Sequence, residues 1–242
     1  MGNSKVGHSP IAGQILAEAI YPRDGSDPAV PEIQTRFAGK KGNRANLFPW
    51  HRLEQSLHQH SPIEEPMNRH CRGLRRSAVV ALLQIHDFQP HDPELLLIER
   101  SKNLRTHAGQ LAFPGGKEEP HDDSLLETAL REANEEIGLE QNNVRFLGRL
   151  APVITPTNFI IVPFVARVLR PWLPKKCSAE VANILRPTIS ELRSNYRAGS
   201  PRLFRGKMHP MHEYTIHDPP LWGATARMVH ELIRHLDYAK PS

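Results

Sequence analysis

The sequence predicts an α/β fold, a mixed β-sheet sandwiched between helices, on the strength of two observations. From Ser77 onward, strand-length apolar runs alternate with amphipathic helical stretches, and layering helices on a sheet is how such a pattern buries its apolar faces. The most distinctive of those helices is bounded by glycine at both ends and carries three carboxylates on one side. Residues 1–74 differ in texture, being rich in Pro, Gly, His and Gln, and are read as an N-terminal extension to a domain spanning residues 75–238.

Within the extension, turn signals stand at Pro22-Arg23-Asp24-Gly25 and Ala38-Gly39-Lys40-Lys41-Gly42-Asn43, so loose order is expected at least to Asn46. A short helix fits Ile11–Ile20, where Ile11, Ile15 and Ala19 recur at i, i+4, i+8, and a second fits Trp50–His58. Two roles stay open for this segment: an arm in a homodimer or a cover over a substrate cleft.

In the domain, Ala78–Ile85 and Glu94–Glu99 read as strands joined by the loop His86–Pro93, whose Asp and Pro residues favour turns. Gln110–Phe113 is a short strand leading into the Gly115-Gly116 turn and the carboxylate helix. Val144–Val153 and Phe159–Val168 follow as strands, separated by a loop containing Thr155, Pro156 and Asn158. Val181–Ile189 is a further strand, with a helical turn at Ser190–Ser194. Leu203–Lys207 and Glu213–His217 are expected to pair as a hairpin. A closing helix spans Trp222–Tyr238, with Met228, Leu232 and Leu236 four apart.

The geometry of the carboxylate helix follows from about 100° of rotation per residue. With Glu132 at zero, Glu135 falls near −60° and Glu136 near +40°, so the acids share an arc of roughly 100°. Leu126, Leu130, Ala133 and Ile137 cluster elsewhere, between about 100° and 160°, and should pack on the core. Asp123 or Ser124 can cap the start, Ser124-Leu125-Leu126-Glu127 has the form of a capping box, and Gly138 suits the left-handed C-terminal position. Crowded glutamates repel in water, and a divalent cation reverses the sign. Glu132, Glu135 and Glu136 therefore read as ligands for Mg²⁺ or Mn²⁺ facing a phosphate substrate, against the blander alternative of a solvated acidic face.

Composition narrows the setting. The 242 residues are 24% charged and 39% hydrophobic, ordinary for a soluble globular protein. Neither long apolar run approaches a membrane span, so no membrane partner is expected. The formal charge of +5 comes from scattered residues, which argues against nucleic-acid binding. Cys71 and Cys177 make neither a disulfide framework nor a zinc spacing. Met1–Pro10 lacks the features of a signal peptide, and Val6 occupies the position a myristoylation motif reserves for Ser or Thr, so a cytoplasmic location is the expectation.

Arg131-Glu132-Ala133-Asn134-Glu135-Glu136-Ile137-Gly138-Leu139 resembles the second half of the Nudix box, Gly-x5-Glu-x7-Arg-Glu-x2-Glu-Glu-x-Gly plus an aliphatic residue. The first half departs from it: counted back from Arg131, the glutamate position holds Asp123 and the glycine position Lys117, with Gly116 one residue early. Upstream, Arg100-Ser101, Leu104-Arg105, His107, Gly109-Gln110 and Phe113-Pro114-Gly115-Gly116 are similar to the signature preceding the box in coenzyme A diphosphatases, which also tend to carry the stretched spacing. Weaker similarity, including Glu180-Val181 and Trp222-Gly223-Ala224-Thr225, extends over most of residues 75–237.

This resemblance implies a Nudix-type α/β/α sandwich that hydrolyses the pyrophosphate link of coenzyme A or its derivatives, giving 4′-phosphopantetheine and adenosine 3′,5′-bisphosphate. Two alternatives stay open: another small-molecule nucleoside diphosphate derivative, such as ADP-ribose or a dinucleoside polyphosphate, or a non-catalytic nucleotide-sensing Nudix domain. The implied catalytic set is Glu132, Glu135, Arg131 and Glu180. Glu180 is a distal candidate for general base, and Arg131 orients a carboxylate through a bidentate pair. Arg100, Lys102, Arg105 and His107 would meet the substrate's phosphates, with the amides of Gly115 and Gly116 close by.

Overall fold

The computed structural model describes residues 48–60 and 73–239, so the expected helix at Ile11–Ile20 and the early turn signals lie outside the described residues. The order is α1 (Trp50–His60), β1 (Arg75–His86), β2 (Gln89–Leu95), β3 (Leu97–Arg100), β4 (Leu111–Ala112), β5 (Gly115–Lys117) and α2 (Leu125–Ile137). A 3₁₀ turn at Gln141–Asn143 leads into β6 (Val144–Arg149), β7 (Val153–Ile154), β8 (Phe159–Val168) and β9 (Val181–Leu185). The chain ends with α3 (Ile189–Ser194), β10 (Tyr196–Phe204), β11 (Lys207–Tyr214) and α4 (Gly223–Tyr238).

The main sheet has the order β2-β1-β8-β6, with β5 also on β1 and β7 on β8. It is mixed, as expected: β1 and β8 run parallel from Arg75↔Phe159 to Leu83↔Arg167, and the other pairs are antiparallel. A second sheet, β4-β3-β9, carries the chain toward the site. β1 is buried on both faces, and its strict alternation sorts the core. Ala78, Val80 and Leu82 pack with Leu125, Ala129, Ala133 and Ile137 of α2. Val79, Ala81 and Leu83 pack with Met228, Val229 and Leu232 of α4 and with Leu53 and Leu57 of α1, both fully buried. Helices thus cover both faces of the sheet. The helix α1, read from the sequence inside the extension, contributes to this core.

Several expected elements differ, each for a physical reason. Gln89–Pro93 was expected as loop but is strand, and only Asp87-Phe88 turns; β2 is an edge strand, where Pro90 and Pro93 do no harm to the ladder. The run Glu94–Glu99 divides at Leu96, where the chain leaves β1 for the second sheet. The run Val144–Val153 divides into β6 and β7, both on β8. The expected strand to Ile189 stops at Leu185, because Thr188 and Glu191 form a reciprocal capping box that starts α3. The hairpin turns at Arg205-Gly206, with φ of 49° and 74°, inside the segment expected as its first strand. Positive φ at both central positions is what a type I′ two-residue hairpin requires, and an arginine there hides it. Among the described residues no helix is long and apolar enough to cross a membrane.

Candidate active site

The helix α2 starts where Ser124 accepts a hydrogen bond from the Glu127 amide and stops at Gly138, left-handed at φ 69° and ψ 31°. The capping box is only half formed: Glu127 Oε2 accepts from the amide of Asp123, at 2.7 Å, rather than from that of Ser124. The buried face is also rotated from the expected stripe. Leu125, Ala129, Ala133 and Ile137 are the residues in the core, while Leu126 and Leu130 pack at its edge. The row Leu125, Ala129, Glu132, Glu136 follows i, i+4, i+7, i+11 and runs from the core straight into the acids. The carboxylates are therefore graded in depth. Glu136 is buried, Glu132 is half-buried, and Glu135 is more than half exposed.

Strand β5 packs against this row, pairing Gly115 with Val79 and Gly116 with Ala78. Glycine is required at the first by the backbone and at the second by the Glu132 side chain. Gly115 has φ +144°, and a Cβ there would overlap the Ala78 carbonyl and Val79, whereas one on Gly116 would overlap the Glu132 carboxylate. The Gly115 N–H, expected to face a phosphate, is instead donated to Glu136 Oε2 at 3.0 Å. Ser77 Oγ donates to the Gly116 carbonyl at 2.6 Å. Burial pushes the Glu136 carboxyl up to about 7, against the opposing pull of the Gly115 amide and Arg100. Burial also raises Glu132, partly offset by Arg131 beside it.

Arg131 is the hub of the charged network. Its Nε and Nη2 bind the two oxygens of Asp122 at 2.9 and 3.1 Å, Nη2 reaches the Lys117 carbonyl, and Nη1 lies 3.2 Å from Glu132 and 3.3 Å from Glu135. Asp122, with 1% of its side chain exposed, also accepts from the Glu119 amide and from Thr128 Oγ1. These bonds, the Arg131 pair first among them, hold its carboxyl well below the usual carboxylate range, and Asp122 in turn raises Arg131. The bidentate partner of Arg131 is thus Asp122, not one of the candidate ligands.

Glu180 comes to the site because β9 pairs with β3, setting Arg100 opposite Val181. The Glu180 carbonyl accepts from the Ser101 amide at 2.7 Å, and its carboxylate lies 3.4 Å from Arg100 Nη2. Repulsion from Glu180 adds to the rise of Glu136. Arg100 is thus paired with Glu180 and within electrostatic reach of the buried glutamate. The loop after it is closed at its base by Arg100 N to Gln110 O and Gly109 N to Arg100 O, both 3.0 Å. His107, at φ 58°, pairs with Gln110 through Nδ1 at 2.9 Å. Lys102 and Arg105 are exposed on the same loop.

Glu132 and Glu136 meet at the glycine strand, while Glu135 stays with Arg131. Among the described residues no three His, Cys, Asp or Glu side chains converge closely enough to enclose an ion. Three participants escaped the sequence reading. Asp122 had a signal: five residues separate it from Gly116, the spacing of the box's first half, whereas counting back from Arg131 lands on Asp123. Ser77 and the buried Glu99, which lies 3.3 Å from His217, had none, because only strand register brings them in.

Residues 74–204 match the NUDIX domain family. Two similar proteins are both named uncharacterized Nudix hydrolase NudL. The one from Photorhabdus laumondii is 40% identical over 148 residues, 60% of this chain and 78% of that protein. The one from Yersinia enterocolitica is 37% identical over 147 residues, covering 60% and 75%. Among solved structures, the Nudix hydrolase RenU from M. smegmatis aligns with a TM-score of 0.48 at 15% identity, over 69% of this chain and 88% of that one. The chain belongs to the Nudix family and is a Nudix pyrophosphohydrolase.

Proposed function

We propose that this enzyme hydrolyses the pyrophosphate link of coenzyme A or a derivative, yielding 4′-phosphopantetheine and adenosine 3′,5′-bisphosphate, with Mg²⁺ or Mn²⁺ as cofactor. One observation carries the reading. The segment from Arg100 to Gly116, which resembles the coenzyme A diphosphatase signature, joins the glutamate helix at both of its ends. It does so through Arg100, which pairs with Glu180 and acts electrostatically on Glu136, and through Gly115 bonded to Glu136.

The donor set suits a hard divalent ion. It is all oxygen, and burial leaves Glu136 short of the positive charge that a carboxylate needs. Glu132 and Glu136 would hold the ion, with Glu135 joining on release from Arg131. A bound ion supplies neutralisation of phosphate charge and acidification of a water. The protein's own residues do the rest. Arg105 and Lys102, exposed on the signature loop, meet substrate phosphates, and His107 helps to shape that loop through Gln110. Glu180, steered by Arg100, takes the proton from the attacking water as its oxygen bonds to phosphorus. The bridging P–O bond breaks, and the second phosphate leaves with the electron pair. Arg131, anchored by Asp122, fixes the orientation of Glu132 and Glu135.

The test is product analysis after incubating the purified chain with coenzyme A and Mg²⁺ or Mn²⁺. The two named products are expected. Their absence, with another nucleoside diphosphate derivative cleaved readily, rejects the coenzyme A assignment. In the same assay Glu136→Gln should fold normally and lose turnover, and full activity in that variant removes Glu136 from the site.

A further inference from the structure

Between the hairpin β10–β11 and the loop that follows it lies a cavity of about 460 Å³ whose walls include Ser200, Arg202, Met211, Glu213, Pro220 and Trp222. A break in strand register between Gly199 and Arg202 opens it. Trp222 at its rim is 43% exposed, although the adjacent Leu221 is fully buried. A large indole left in water beside a cavity is a platform for a flat ring. Arg202 and Glu213 share the cavity, yet neither side chain makes a hydrogen bond or ion pair with any described residue, each other included. The cavity therefore offers a stacking face, a free cation and a half-buried carboxylate acceptor.

Those features complement a purine nucleotide. The ring would stack on Trp222, its exocyclic amine would donate to Glu213, and its phosphate would pair with the Arg202 guanidinium. The loop bearing Pro220 and Trp222 also carries His217, whose Nε2 lies 3.3 Å from Glu99 Oε2 on β3, the strand that ends at Arg100.

We infer that this cavity binds the nucleoside end of the diphosphate substrate, away from the bond that breaks, and so contributes to specificity. The inference rests on the proposed function only in that the substrate has a purine nucleotide arm. Binding there adds affinity and positions the scissile link.

The probe is adenosine 3′,5′-bisphosphate, titrated calorimetrically into the full chain without divalent ion. One-to-one binding is expected, weakened about tenfold in each of Arg202→Met and Trp222→Leu, in line with the loss of one stacking or charged contact. Both side chains are exposed, so the variants should melt with the parent protein. With coenzyme A, KM should rise by a similar factor while kcat changes little. Failure of the parent protein to bind the bisphosphate, or unchanged affinity in both variants, overturns the inference. If coenzyme A is hydrolysed with KM unchanged in both variants, the cavity assignment falls and the proposed function stands. If coenzyme A is not hydrolysed but the bisphosphate binds with the stated sensitivity, the reverse holds.

Discussion

Replacing Asp122 by alanine should both destabilise the domain and weaken its hold on the divalent ion. Asp122 has 1% of its side chain exposed and accepts two bonds from Arg131, one from Thr128 and one from the Glu119 amide. Removing one partner of a buried ion pair costs about 3–5 kcal/mol, since the other charge stays behind uncompensated. Arg131 keeps Glu132, Glu135 and the Lys117 carbonyl as fallbacks, and Thr128 keeps the Ser124 carbonyl. The low end, about 3 kcal/mol, is therefore expected. For a domain of this size that corresponds to a fall in Tm of roughly 6–12 °C.

The second effect separates this account from a merely structural one. Freed from Asp122, Arg131 would settle fully on Glu132 and Glu135 and compete with the ion. Loss of such an outer support typically costs about 10–100-fold in metal affinity. Thermal melts of Asp122→Ala and Asp122→Asn, with hydrolysis measured across Mg²⁺ and Mn²⁺ concentrations, test both halves. Asn keeps the shape and loses the charge, so it should melt between Ala and the parent protein. An unchanged Tm and an unchanged metal requirement in Asp122→Ala would refute the reasoning. Because the folded-state pKa of Asp122 is depressed, its contribution is complete above the unfolded value of 3.8 and is lost as pH falls through the folded one.

Three further outcomes are expected. Gly116→Ala should cost activity rather than stability, on the order of 100-fold in kcat, because its Cβ displaces only the end of the Glu132 side chain; Gly115→Ala, which meets the backbone of β1 at φ +144°, should instead lower Tm, and enzyme assays beside melts distinguish the two. Leu57→Ala, at a fully buried position in α1, should cost about 2–5 kcal/mol in denaturant unfolding if that helix is integral to the core. His212 and His230 stack at 3.9 Å, and burial lowers both pKa values below 6.5, with further lowering of His212 by His230 and Arg227 and of His230 by Arg234. Their folded forms bind fewer protons than the unfolded chain, so stability is complete above pH 6.5 and declines as pH drops through the folded values; a double His→Asn variant should flatten Tm against pH over that range.

What could be read from the sequence was whatever depends on local period and chain punctuation. The strand Phe159–Val168 and the end of α2 at Gly138 were legible because an apolar run and a helix-stopping glycine are local signals. The elements misjudged were those decided by a partner. Pro90 and Pro93 signal a loop until β2 is known to be an edge strand, and Arg205 does not announce a tight turn. At the site the same division holds. The helical spacing of Glu132, Glu135 and Glu136 was legible, but their unequal depth was not, since depth depends on which residues of α2 face β1. Asp122 was readable only by counting from Gly116, and Ser77 not at all, because its role exists only in the register of β1 with β5.

That register explains why two glycines precede the helix. Strand β5 is wedged between β1 and α2, with one glycine against each wall. Gly115 leaves room for the β1 backbone and donates its N–H to Glu136, and Gly116 leaves room for Glu132. The helix can approach so closely because Ala129 and Ala133, both fully buried, are the residues it lays on the sheet. Core packing and carboxylate placement are therefore one geometric condition. Bulk on either side of the wedge moves Glu132 and Glu136 away from the signature loop that ends at Gly115. The free energy that holds α2 on the sheet is the same free energy that keeps two repelling carboxylates together, and on the proposed function a divalent ion would meet them already in position.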